Sequence, residues 1–215
     1  MRRCPAQARG CAGFTLIEAA IVLVVIGLIL GVVLQGQSLI RNAEYRSLKS
    51  DISDYQSAFY AFRDRYNRLP GDMPEEEVQS RILDGLNGPS GPNAGNGIID
   101  DGPECGDEGH ESCMAWQHLR GAGLIRGNPM RAGTDASPSH PFAGVFSSFF
   151  TGSVGDSPYG HKMLITGLPG GIARRLDDDL DGQGAPAGRV RCFSGGSTCN
   201  EYPGQDDVTG VVLGL

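Results

Sequence analysis

One carboxylate, Glu18, lies inside an apolar segment that is long enough to cross a membrane. The segment covers residues 14–34, and its 21 residues match the roughly 20 that a spanning helix needs. A carboxylate buried in hydrocarbon is costly and therefore indicates a partner and a function. Three arginines (Arg2, Arg3 and Arg9) and no acidic residue precede the segment, which predicts that the N-terminus stays on the cytoplasmic side.

Other kinds of N-terminal signal explain this segment less well. An ordinary secretory signal has about 7–15 apolar residues and a small-x-small cleavage site, and residues 36–38 match such a site poorly. Cys11 has no apolar region before it, which argues against a lipoprotein signal. A plain signal anchor fits the length but accounts for neither Gly13 and Phe14 nor Glu18.

The motif Gly13-Phe-Thr-Leu-Ile-Glu18, directly before the apolar run, resembles the prepilin signal of type IV pilins and type II secretion pseudopilins. The resemblance implies that a prepilin peptidase cuts between Gly13 and Phe14 and that Phe14 becomes a methylated N-terminus. It also implies that Glu18, the fifth residue of the mature chain, meets the terminal amine of a neighbouring subunit during assembly. The implied partners are the peptidase, other subunits in a helical filament and an inner-membrane assembly platform.

This resemblance divides the chain into three parts. Residues 1–13 are the removed leader, residues 14–35 are the transmembrane and filament-core segment, and residues 36–215 are the exported domain with the lower half of the first helix. Before assembly the protein is expected to cross the inner membrane once, with its C-terminal domain in the periplasm. After assembly it is expected in a pilus or pseudopilus.

The composition argues against nucleic acid as a partner. The 215-residue chain has a net charge of −7, which becomes −10 when the three leader arginines are removed. Phosphate contacts are made mainly by Lys and Arg, so an acidic surface disfavours DNA, RNA and anionic lipid. Because the chain contains 33 glycines and 13 prolines, the exported part is predicted to be one small, loop-rich domain.

Four cysteines remain in the mature chain, and they are Cys105, Cys113, Cys192 and Cys199. An even number in an exported domain indicates disulfides, and four cysteines allow three connectivities. We expect the two sequence-local pairs, in which Cys105 bonds Cys113 and Cys192 bonds Cys199. Free thiols or a crossed pair are the alternatives.

Residues 177–182 form a second candidate site, for a bound metal ion. Asp177, Asp179 and Asp181 stand at alternate positions before a glycine, which matches the first half of a calcium-binding loop. The twelfth position is Gly188, where such a loop has a bidentate Glu. The major pseudopilins that the N-terminus resembles hold calcium in a C-terminal loop, so calcium is the one cofactor considered. The alternative is an acidic helix end, which opposes the helix dipole.

The sequence offers little for catalysis, and we predict that the protein is not an enzyme. The histidines, at positions 110, 118, 140 and 161, show no metal-binding spacing. His110 precedes Cys113 by three residues and could form a nucleophile pair with it. A cysteine with three companions in an oxidising compartment, however, indicates half of a disulfide.

Periodicity predicts the elements that position these residues. Apolar and aromatic residues continue past the apolar run at alternating steps of three and four, which predicts one helix over residues 14–67 that ends before Pro70. The members of this stripe are Tyr45, Leu48, Ile52, Tyr55, Phe59, Phe62 and Tyr66.

Shorter elements follow, and they complete an α+β fold. Helices are predicted over residues 75–86, 111–121 and 172–180, and strands over residues 145–150, 162–166, 189–193 and 208–213. The predicted architecture is a long N-terminal helix, transmembrane in its upper half and amphipathic in its lower half, packed on a small antiparallel sheet. It is also the pilin-like fold that the resemblance implies. The segments 69–73 and 115–119 resemble a broad group of prepilin-type proteins of Gram-negative bacteria.

Two functions fit this sequence. The first is a structural subunit of a type IV pilus or of a type II secretion pseudopilus. The alternative is a minor tip or adhesin-like module that shares the anchor and binds ligands through exposed loops, such as the Gly-rich residues 87–109. A membrane-anchored enzyme is a third interpretation, but the sequence lacks a catalytic constellation for it.

Overall fold

The computed structural model describes residues 15–103, 105, 109–154, 158–182, 188–194, 197–199, 202, 204 and 208–215. The chain forms two compact units, of which the first ends at Ala43 and the second runs from Glu44 to Leu215. Helix α1, Leu16–Tyr66, begins in the first unit and ends in the second. Its bounds lie within two residues of those predicted. Asn67, the residue after the helix, has a positive φ of 53°, and Pro70 follows shortly after, so the helix cannot continue.

The second half of α1 supplies the core of the second unit. The predicted aromatic stripe is confirmed, because every member except Tyr55 is buried. Tyr55 is half-buried, and the centre of its ring lies 5.1 Å from that of Trp116 and 4.8 Å from that of Phe146, both edge to face. These aromatic contacts join α1 to the rest of the domain.

Three further α-helices and one 3-10 turn follow α1. They are α2 (Glu75–Arg81), α3 (Glu111–Gly121), the 3-10 turn Gly133–Ala136 and α4 (Gly170–Asp181). Helix α3 has the predicted bounds, whereas α2 stops five residues before its predicted end at residue 86. Gly85 has a φ of 77°, so the chain turns at Asp84-Gly85 instead of extending the helix. The 3-10 turn was not predicted.

The strands form one antiparallel sheet in the order β1-β2-β5-β3-β4. Their bounds are β1 Val145–Gly152, β2 Gly160–Pro169, β3 Val190–Ser194, β4 Ser197–Thr198 and β5 Val208–Gly214. All four predicted strands are present. The two-residue β4 was not predicted, because a segment that short carries no alternation of polar and apolar residues.

The two faces of the sheet are packed differently. One face joins the main core with α1 and α3 through side chains such as Phe146, Phe149 and Met163. The other face carries a smaller cluster that includes Phe150, Leu164 and Val212. A long helix packed on a small antiparallel sheet is the predicted α+β, pilin-like architecture, and that prediction is confirmed.

Candidate functional site

Glu18 lies in the first turn of α1. Its backbone N–H donates to the Thr15 carbonyl at 3.1 Å and reaches the Thr15 hydroxyl at 3.3 Å. Thr15 and Glu18 have the spacing of a capping box, in which a threonine hydroxyl accepts from the N–H of a glutamate three residues later. The Glu18 side chain is exposed and therefore open to a partner. The predicted cleavage residues Gly13 and Phe14 lie outside the described residues.

The apolar half of α1 is exposed throughout the first unit. Leu16, Leu23 and Val32 are each at least 70% exposed, and no large apolar side chain of residues 16–34 is buried. An 18-residue window of this helix has a mean hydropathy of 3.0, so its length and composition suit a membrane-crossing helix. An apolar surface this large and continuous calls for lipid or for other apolar helices around it.

Four cysteines of the second unit form two disulfides. Cys105 is joined to Cys113 and Cys192 to Cys199, which are the two sequence-local pairs. The first bridge ties the loop before α3 to the first turns of that helix. The second links β3 to the residue after β4, where the Cys199 N–H also donates to the Cys192 carbonyl at 3.0 Å.

The three aspartates of the predicted calcium loop do not converge. They lie in the last turns of α4, where residues two positions apart point to different sides of the helix. Among the described residues, no three His, Cys, Asp or Glu side chains form a group that could hold a metal ion. The pattern of a calcium loop requires an extended loop at this point, and the structure instead has a helix through Asp181.

Two of these aspartates, Asp179 and Asp181, instead bond protein groups. Asp179 accepts from the Tyr45 hydroxyl at 2.7 Å and pairs with the Lys49 ammonium at 3.2 Å, and both contacts lower its pKa. Asp181 accepts from the Val190 N–H at 2.6 Å. Burial, together with the nearby charge of Asp181, raises the pKa of Asp177. The acidic run thus connects α4 to α1 and to β3.

The two segments that resemble prepilin-type proteins, residues 69–73 and 115–119, meet in the fold. The Gly71 N–H donates to His118 Nδ1 at 2.9 Å, and the other ring nitrogen, Nε2, lies 2.8 Å from the Asn87 carbonyl. The Gly71 donor and the Asn87 acceptor together require a neutral ring with its proton on Nε2. Burial lowers the pKa of His118 to about 4, which keeps the ring neutral near pH 7. Gly71 has a φ of 96°, and a side chain there would collide with the Glu111 carbonyl.

Asp72 organises the middle of the Gly-rich loop. Its two carboxylate oxygens accept three backbone N–H groups, from Gly95, Asn96 and Gly97, at 2.8–3.0 Å. Burial raises its pKa, while these three hydrogen bonds oppose that rise. The Gly-rich segment that could serve a binding role in the tip alternative is therefore fixed at residues 95–97.

Glu111, at the start of α3, fixes the loop again further along. Its Oε2 accepts from the Asp100 N–H at 2.8 Å, and its own N–H donates to Asp101 Oδ2 at 3.1 Å. The side chain is 4% exposed, and burial, reinforced by the charges of Asp72, Asp100 and Asp101, raises the pKa of Glu111 to about 7. Sequence reasoning missed the roles of Asp72, Glu111 and His118. The two resemblance segments contain Asp72 and His118, whereas no signal in the sequence pointed to Glu111.

The sequence and the structure of the N-terminal region agree with a known family motif. Residues 8–34 match the family model described as the prokaryotic N-terminal methylation motif. This motif is the signature of type IV pilins and pseudopilins, so the resemblance seen in the sequence is confirmed for this segment. No curated protein and no solved structure matches the chain.

Proposed function

We propose that the protein is a processed structural subunit of a type IV pilus or of a type II secretion pseudopilus. The observation that carries the proposal is the methylation motif over residues 8–34, which coincides with the exposed apolar part of α1. The same helix half would lie in the inner membrane before assembly and against the helices of neighbouring subunits in the filament. The second unit would remain outside the membrane throughout.

Processing would convert an anchored precursor into an assembly-competent subunit. Cleavage between Gly13 and Phe14 removes the basic leader and leaves a new amine at Phe14, which is then methylated. This amine would lie one helical turn from Glu18 of its own chain, or beside Glu18 of a neighbour. Pairing with a neighbour neutralises both charges in an apolar surrounding, which favours the assembled state over the isolated anchor.

The second unit supports a structural role. It has a continuous aromatic core, two disulfides and a Gly-rich loop that is tied down by Asp72 and Glu111. These features suit a domain that forms the outer surface of a filament.

Mass spectrometry of the mature N-terminus tests the proposal. The protein should be produced in a host that has a prepilin peptidase, extracted from membranes and analysed intact and as peptides. We expect the mature chain to begin with N-methylated Phe14, and Gly13→Leu to leave a full-length precursor in the membrane. A mature N-terminus downstream of Leu34 would overturn the proposal.

Imaging after overexpression distinguishes a major filament subunit from the tip alternative. A major pilin or pseudopilin should form filaments when it is overproduced with the assembly platform alone. A minor tip subunit should appear in filaments only when a major subunit is co-produced. Neighbouring genes for a secretin and a retraction ATPase, or for a secretion ATPase, would identify the system that the protein serves.

A further inference from the structure

Three arginines surround one open pocket in a protein of net charge −7. Arg120 comes from the last turn of α3, and Arg126 and Arg131 come from the loop that follows it. The pocket has a volume of about 490 Å³, and its opposite wall includes the hydroxyl residues Thr134 and Ser139. The cluster lies in the second unit, well apart in sequence from the methylation motif.

The guanidinium of Arg120 is held in place by the loop that folds over it. Its Nε donates to the Arg126 carbonyl at 3.3 Å, and Gly127 lies against its stem. Gly127 has a φ of 128°, and a Cβ at this position would lie 2.5 Å from Arg120 Nε, so only glycine permits this approach. The Arg120 side chain is therefore positioned before any ligand arrives.

Arg126 also lines a neighbouring pocket that contains Asp51 and Asp54, so the protein neutralises the positive charge of the cluster only in part. The salt bridges within the described part of the chain involve other side chains, and Asp135 is the one acidic residue among those that line the pocket. Burial and the nearby charge of Arg131 both lower the pKa of Arg120. Arg120 Nη1 is buried and has no hydrogen-bond partner among the described residues. A partly dehydrated guanidinium next to a like charge attracts an anion more strongly than an exposed, isolated one.

We propose that this arginine pocket binds a dianionic oxyanion group. Among the residues that line this pocket, three guanidinium groups and one carboxylate sum to a net charge of +2, which a dianion would neutralise. Guanidinium groups donate in a planar fork that matches the oxygens of phosphate, sulfate and carboxylate. The shared chemistry of the ligand is thus a doubly charged group with several acceptor oxygens, either tetrahedral, as in a phosphate or sulfate monoester, or a dicarboxylate.

Calorimetric titration of the full-length protein in a non-ionic detergent tests the proposal. Sodium phosphate, sodium sulfate and sodium succinate are titrated separately, with chloride added to keep the ionic strength constant. We expect saturable binding of at least one of these probes. We expect the double variant Arg126→Gln/Arg131→Gln to bind at least tenfold more weakly, because two charge-assisted contacts are lost while both residues are exposed and not part of the core.

Arg174→Gln is the matched control, since Arg174 is an exposed arginine on α4 outside the pocket. It should leave the affinity unchanged, and the melting temperatures of all variants without anion should agree. Binding of phosphate and sulfate but not succinate would assign a tetrahedral group, and binding of succinate would extend the site to dicarboxylates. The proposal is overturned if none of the three probes binds, or if Arg174→Gln weakens binding as much as the double variant does.

Discussion

At the scale of single residues, three buried polar side chains fix the loops of the second unit. Asp72 holds the Gly-rich loop through three N–H groups, Glu111 holds it again at Asp100, and His118 ties Gly71 to Asn87. Each side chain bonds backbone groups of segments that are distant from it in sequence, and a typical hydrogen bond of this kind contributes about 0.5–1.5 kcal/mol. Burial also shifts their titration, in opposite directions for the carboxylates and for the imidazole.

Glu111→Gln should stabilise the protein at pH 8 and have little effect at pH 4.5. The pKa of Glu111 is about 7 in the folded state, above its value of 4.5 in the unfolded chain. The stability that protonated Glu111 contributes is therefore full below pH 4.5 and is lost as the pH rises through 7, because the unfolded chain ionises first. Above that pH the wild type keeps a buried charge next to Asp72, Asp100 and Asp101, and the neutral glutamine avoids it. We expect a gain of about 1–3 kcal/mol at pH 8, measured by chemical denaturation.

The exposed Glu76→Gln serves as a control, because Glu76 lies on the surface of α2. It should change stability equally at both pH values. The pKa of His118 is lowered to about 4, so its contribution is lost as the pH falls below 6.5. This loss affects wild type and variant alike and cancels in their difference. A Glu111→Gln effect that did not depend on pH would contradict the assignment.

At the scale of elements, α4 is held against α1 by its own acidic residues. The Tyr45 hydroxyl donates to Asp179 Oδ2 at 2.7 Å and lies 3.2 Å from the Arg175 carbonyl oxygen. The Arg175 guanidinium lies over the Tyr45 ring, 4.0 Å from its centre. Desolvation and the Asp179 contact raise the pKa of Tyr45, which therefore stays a donor at any physiological pH. Asp179, one of the aspartates that resemble a calcium loop in the sequence, thus joins two helices.

Calcium should leave the thermal stability of the protein unchanged. The three aspartates diverge along α4, so no single ion can reach them all without unwinding the helix. Melting curves in calcium and in chelator should therefore coincide, whereas Tyr45→Phe should lower stability by about 1 kcal/mol in both. A calcium-dependent rise in melting temperature that disappears in Asp179→Ala would restore the calcium site.

Each disulfide should stabilise a loop of the second unit without being needed for its core. The bonded cysteines are eight and seven residues apart, and loops of this size are worth about 2–3 kcal/mol through restriction of the unfolded chain. Peptide mapping without reduction should recover both local pairs, and Cys192→Ser/Cys199→Ser should lower stability by that amount while keeping the secondary structure. A peptide that links Cys105 to Cys192 would contradict the pairing.

At the scale of the whole molecule, the two units differ in what they expose to their surroundings. The first presents a helix with an exposed apolar surface and a single exposed carboxylate near its start, and the second carries the packed α+β core. A monomer in water cannot cover that apolar surface, so it requires a membrane or other copies of the helix.

Glu18→Ala should insert and be processed like the wild type yet fail to enter filaments efficiently. The carboxylate is not needed for insertion, because its removal makes the segment more apolar by about 3 kcal/mol or less on insertion scales. Filament incorporation is measured by shearing and immunoblotting, with Glu44→Ala, a carboxylate on the same helix beyond the apolar run, as the control. Normal incorporation of the Glu18 variant would exclude the charge pairing.

Local patterns made several features of this fold predictable from the sequence. The aromatic stripe of α1, the bounds of α3 and the four longer strands follow from periodicity over short windows. The end of α2 and the two-residue β4 were missed, because a local turn at Gly85 and a pairing across strands decided them. The three aspartates of the calcium pattern lie at a helix end, which is the alternative that the sequence left open, since the same residues suit both a loop and a helix end.

The sequence by itself determined the N-terminal signal, because a basic leader, a glycine, a glutamate and an apolar run are all contiguous. Only the tertiary structure decided that Asp179 bonds α1 and which backbone groups Asp72 and His118 bond. It also decided that Arg120, Arg126 and Arg131 line one pocket. Those outcomes depend on elements that are distant along the chain, such as α1 and α4, or on a loop that folds back over its helix. A membrane signal is set by the order of residues, whereas a binding pocket is set by which segments the core brings together.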